Sequence, residues 1–159
     1  MLVAEYATSI EIEAPPSTVF DYLTTDAGMM AWMGQRAELD PHPGGEFAVD
    51  IAGYAIRGQY VHVERPTLVV VSWGVAGSSD LPAGASTVEF RLTPIERGTR
   101  VDLVHSGLPE TELQGHADGW DHFLPRLRIA ASGGDAGPDH WHPPTGEPSM
   151  IDQYRRSTP

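Results

Sequence analysis

The 159-residue chain contains no cysteine and no lysine. The first absence excludes disulfides, thiolate nucleophiles and thiolate metal sites. The second leaves arginine as the source of all ten positive side-chain charges, against 22 acidic residues, for a net charge of −12. With 17 Gly and 14 Pro, it reads as the compositional bias of a GC-rich genome. No basic run offsets the acid, so the surface repels phosphate backbones and nucleic-acid binding is not expected. Long apolar runs are also missing, and nothing approaches the roughly 18 residues of a membrane span. The opening MLVAEYATSIEIEA has no basic n-region, so no secretory leader is expected and the chain reads as cytoplasmic.

What is present is a set of short alternating segments followed by one long helical pattern. The length suits one domain with a real core. Residues 3–13, ending in the alternation Ser9-Ile10-Glu11-Ile12-Glu13, read as a strand that stops at Ala14-Pro15-Pro16. Pro16 opens a helix with Val19, Phe20 and Leu23 as its buried stripe, and Thr25 or Asp26 caps a second short helix over 27–33. Strands are expected at Arg36–Leu39, Glu46–Ile51, 55–64, 68–75, Thr87–Thr93 and Thr99–Ser106, with a polar loop over Gly77–Gly84. From Leu113 to Ala131, apolar residues recur at spacings of three and four, which predicts a helix. Pro125 inside it removes a backbone bond and predicts a kink. Strands covered by one long helix make an α+β fold. Residues 135–159 form a Pro- and Gly-rich tail with no amphipathic period; its composition reads as disorder, and if ordered it would lie on the domain or on a partner chain.

The order strand, two short helices, six strands, long helix resembles the helix-grip fold. The motifs agree: Ala14-Pro15-Pro16-x-x-Val19-Phe20, Trp32, Pro43-Gly44-Gly45-x-Phe47, Gly58-x-Tyr60, Pro66-x-Leu68-Val69-x-x-x-Trp73, Thr87-Val88, Gly98-Thr99-x-Val101, His105-Ser106-Gly107-Leu108 and Gly119-Trp120. Together they resemble bacterial homologues of the heat-shock-protein-90 ATPase activator, within the START-related polyketide-cyclase superfamily (SRPBCC). The resemblance runs from about residue 5 to 134. It implies a curved antiparallel sheet of about seven strands wrapped around the C-terminal helix, with a domain over 1–134. It corresponds to the C-terminal part of that co-chaperone and not to the N-terminal domain that grips the chaperone. This fold hosts carriers, sensors, cyclases and co-chaperone modules, so it does not by itself assign an activity.

Several side chains are candidates for a site between sheet and helix. Alternation through Val101, Leu103 and His105 turns His105 inward, where a neutral imidazole must find a partner or line a cavity. Trp73, Trp120, Phe123, Phe90 and Phe47 make an apolar set suited either to a small-molecule pocket or to an ordinary core. Met29 and Met30, beside Trp32 and Met33, suit either an adaptable gate at a pocket entrance or plain filler against the helix. Tyr60 and His62, two apart, share a side unless a bulge near Gly58 reverses them. His116 is expected near the pocket mouth, and His122 in solvent. His140-x-His142 beside Asp139 is the one ligand-like pair, but no third metal ligand is fixed. No Ser stands in a G-x-S-x-G elbow, there is no phosphate loop, and Glu46, Asp50, Glu89 and Asp102 read outward. The expectation is therefore a protein binding a hydrophobic or aromatic small molecule, without metal or other cofactor and leaning away from catalysis. A co-chaperone-like interaction module and a cyclase or dehydratase with His105 as acid/base are the rivals. A homodimer is compatible with each.

Overall fold

The sheet grows from the alternating segments in the expected order. In the computed structural model, which describes residues 3–141, the elements are β1 (Val3–Ile12), α1 (Pro16–Thr24), α2 (Asp26–Met30), β2 (Arg36–Leu39), β3 (Glu46–Ile51), β4 (Tyr54–Glu64), β5 (Leu68–Val75), β6 (Ser86–Ile95), β7 (Gly98–Pro109) and α3 (Glu110–Ala131). Among the described residues these seven strands form one antiparallel sheet in the order β1-β7-β6-β5-β4-β3-β2. Each of β2 to β7 pairs with its chain neighbour. β1 instead crosses to the far edge and pairs with β7, so α1 and α2 bridge the two ends of the sheet.

Thr25 ends α1 and caps α2, accepting from the Gly28 N–H at 3.1 Å. The second helix stops at Met30, short of the expected Met33, yet Trp32 and Met33 are both buried. Residues Glu110 and Glu112 in the first turn of α3 complement the positive end of its dipole. The helix begins three residues earlier than its apolar stripe and continues on both sides of Pro125. It packs back on β1 and β7 and reaches α1. Trp120, Phe123, Leu124, Leu127 and Ala131 supply its buried side.

Two local features depart from the alternation. The loop over 77–84 is not simply polar: Leu81 is fully buried, held by Val75 N–H to Leu81 O (2.8 Å) and Leu81 N–H to Ser78 Oγ (3.0 Å). In β4 the register shifts between Tyr60 and His62, so Tyr60 is buried while Val61 and His62 are exposed. An inserted residue breaks the two-residue side-chain period, which is why the pair separates.

Tyr60 donates to Leu23 O across 2.9 Å, and burial holds its phenol well above the usual range, so it stays protonated. Tyr60→Phe should destabilise the fold by about 1–2 kcal/mol by orphaning that buried carbonyl. Chemical denaturation would check this; a loss near zero would mean that water or another donor replaces the phenol.

Candidate functional site

Three elements converge beneath α3. Antiparallel pairing sets Val88 opposite His105, and Trp73 opposite Ser86, so β5, β6 and β7 turn Trp73, Ser86 and His105 to one side. α3 adds His116 and Trp120, four residues apart and hence on one helical face. The rings pack closely: Trp73 lies 5.2 Å from Trp120, 5.5 Å from His105 and 6.0 Å from Phe47, and the two imidazoles are 5.0 Å apart, edge to face. Phe90 meets Trp120 edge-on at 5.9 Å, and Tyr60 meets Phe47 at 5.7 Å.

A chain of hydrogen bonds runs through this aromatic set. Trp120 Nε1–H donates to His105 Nδ1 (3.1 Å), which leaves the His105 proton on Nε2. Nε2–H then donates to Ser86 Oγ (2.8 Å), and the Ser86 hydroxyl donates to Trp73 O (2.7 Å). A second branch starts at Trp73 Nε1–H, which donates to His116 Nε2 (3.2 Å), so His116 Nδ1–H donates to Glu112 O (2.8 Å). Each imidazole is thereby fixed as one neutral tautomer, the two being opposite.

Burial sets the electrostatics. Desolvation, with a smaller contribution from His116, lowers the His105 pKa to about 2. His116 is lowered too, again by desolvation, partly offset by its bond to the Glu112 carbonyl and by the nearby Glu112 carboxylate. Both imidazoles are uncharged near neutrality. The Ser86–His105 pair is not arranged as a nucleophile and base: the nitrogen facing Ser86 carries the proton, and the other accepts from Trp120.

The candidates divide as follows. His105, His116, Trp73, Trp120, Phe90 and Phe47 share one cluster, and Tyr60 joins it through Phe47. Met29 is buried, whereas Met30 is 39 % exposed. Phe123 is buried on α3 but makes its ring contacts with His122 and Trp141. His122 departs from the expectation of a solvated side chain: its Nε2–H donates to Asp139 (2.9 Å) and its ring stacks on Trp141. His142 lies outside the described residues, and the His140-x-His142 pair with it. Among the described residues no group of three or more His, Asp or Glu could hold a metal ion.

Ser86 is buried one residue before the expected start of its strand at Thr87. Extending the Val88, Phe90, Leu92 alternation one step back would have placed it inward. An open cleft of about 320 Å³ lies elsewhere, lined by Glu11–Glu13, Ile95, Arg97, Arg128 and Ser132, and contains none of the candidates.

Comparison with known proteins agrees with this architecture. A family model described as "Activator of Hsp90 ATPase homolog 1-like protein" matches residues 13–131. The solution structure of an AHSA1-like protein from Rhizobium etli is 36% identical, with 89% of each chain covered and a TM-score of 0.69. CalU16 from Micromonospora echinospora is 26% identical over 86% of this chain and 77% of its own, at 0.66. The Aha1 dimer from Colwellia psychrerythraea, 21% identical over 84% of this chain and 98% of its own, shares the fold at 0.70. No curated protein matches in sequence. Among the described residues, no helix is long and apolar enough to cross a membrane. The family match over most of the chain, the antiparallel sheet closed by α3 and the Rhizobium etli likeness together establish that this protein belongs to the activator of Hsp90 ATPase homolog 1-like family, within the SRPBCC helix-grip fold.

Proposed function

We propose that the protein binds a hydrophobic or aromatic small molecule between the sheet and α3, in a cytoplasmic setting. The observation that carries this reading is the bond from Trp73 Nε1–H to His116 Nε2. It joins sheet to helix through two side chains, and His116 is its more accessible end, with 14 % of the side chain exposed. A ligand carbonyl or hydroxyl could accept from Trp73 while a ligand donor takes His116, so opening the interface need orphan neither group. Phe47, Trp120 and Phe90 would supply burial, and His105, deeper in the chain, would hold its tautomer. Met30, the exposed member of the Met29–Met30 pair, would flank the entrance.

A second reading, a co-chaperone-like interaction module, draws support from the close packing of the same residues, since His105, Phe47 and Trp120 are almost wholly inaccessible. Self-association belongs with either reading, because one protein of this fold is a dimer. The test is native mass spectrometry of freshly purified protein, then thermal-shift screening with aromatic and lipid-like compounds. The small-molecule reading expects a co-purifying mass, or stabilisation that grows with ligand concentration. A clean apo mass with no shift from any compound would move the assignment to the interaction module.

A further inference from the structure

Residues 135–141 double back along the helix they follow. Gly133, at φ +95°, makes the reversal in the left-handed region that glycine enters without strain. The returning segment has no regular secondary structure, and two of its N–H groups are satisfied within it: Gly137 to Asp135 Oδ1 (2.8 Å) and Trp141 to Asp139 Oδ1 (3.1 Å). Side chains attach it to the domain. The Arg126 guanidinium donates to Ala136 O (2.9 Å) and Gly137 O (2.8 Å), and also to Trp32 O (3.1 Å) just past α2. Asp139 accepts from His122 and lies 3.7 Å from Arg126 Nε. The Trp141 indole stacks on His122 (5.7 Å, 19°) and meets Phe123 edge-on (5.2 Å). It also covers Gly119, where a Cβ would stand 3.7 Å from the ring.

We propose that this flank of α3 is a binding seat for an aromatic carboxylic acid, with Asp139 and Trp141 as its intramolecular occupants. The lining dictates the class. His122 offers an N–H donor to a carboxylate, and the Arg126 guanidinium, bonded to three backbone carbonyls, adds a positive charge 3.7 Å from the Asp139 carboxylate, with only 13 % of its side chain exposed. The His122 and Phe123 rings and the bare Gly119 backbone make a shelf for a flat ring. A ring alone leaves the His122 N–H unmet and the Arg126 charge unpaired, and an acid alone leaves the shelf empty. The spacing follows by counting atoms: Trp141 Cβ, Cα and N, then the 3.1 Å bond to Asp139 Oδ1, separate ring from carboxylate. Indole-3-butyrate has three methylenes before its carboxyl carbon and spans about that length. The strap is tethered at an effective concentration on the order of millimolar, so a free acid competes poorly until the strap is weakened.

The test is calorimetric titration of full-length protein with indole-3-butyrate, comparing the parent with an Asp139→Ala/Trp141→Ala double variant. The double variant should bind about tenfold tighter or more. Adding His122→Ala should cancel the gain, and adding Arg126→Gln should reduce it. Amide NMR shifts should centre on Gly119 and Phe123. A double variant that binds no tighter than the parent, or a gain that survives both added changes, would overturn the seat. Shifts centred on Trp73 and His105 would also overturn it while supporting the interior site, so the two readings fail separately.

Discussion

Replacing His105 with phenylalanine should lower folding stability by about 2–4 kcal/mol, measured by urea unfolding at pH 7.5. The imidazole is fully buried and bonded on both nitrogens. Phenylalanine removes both bonds, leaving the buried Trp120 N–H without its acceptor and Ser86 Oγ without its donor. Its larger ring must also fit between Trp73 and Trp120, whose rings lie 5.5 and 6.0 Å from the imidazole. Two further variants separate bonding from packing. The amide of His105→Asn reaches toward the place of Nδ1 and that of His105→Gln toward Nε2, so each should recover part of the loss. A cost below about 0.5 kcal/mol for the phenylalanine variant would mean that the ring faces open space.

Acid should destabilise the protein well before its carboxylates titrate. A histidine whose folded pKa lies below its unfolded value resists protonation in the native state, while the unfolded chain takes up the proton freely. Above an unfolded value near 6.5 both states are neutral and this contribution is fully present. As pH falls below about 6.5 the unfolded state binds more protons, so stability declines toward the folded pKa of about 2 for His105. The loss is about 1.4 kcal/mol per pH unit for His105, or about 2–3 kcal/mol by pH 4.5. His116, shifted in the same direction, adds to it. Measuring ΔG between pH 6.5 and 5 isolates this slope from the carboxylates, and His105→Gln should reduce it to the part due to His116. Stability that stays level across that window would contradict two neutral buried imidazoles.

Much of this was legible in the sequence, for identifiable reasons. Alternation located β2 and β3 to the residue, although Ala48, on the outward-reading side of β3, is also buried. The same rule turned His105 inward. It could not reveal that Trp120 and Ser86 hold both nitrogens, because those bonds depend on the β6–β7 register and on the height of α3 above the sheet. The sequence allows a bulge near Gly58, but its place after Tyr60 is not legible, because one inserted residue leaves no compositional trace, yet it moves His62 to the surface. Leu81 shows the limit of composition, since one apolar side chain in a polar loop does not announce which way the loop folds. His122 was read as solvated because its partners, Asp139 and Trp141, come from a segment with no period to place it.

The proposed opening of the sheet–α3 interface to a ligand runs through the Trp73–His116 bond. Its most direct test is ¹H–¹⁵N NMR of the four indole N–H groups during titration with the best-stabilising aromatic compound. The Trp73 resonance should shift saturably as its proton leaves His116, while Trp120 stays bonded to His105. If Trp73 does not respond to any stabilising compound, or the only change is at Trp141, then the interior is a closed core and is not the site.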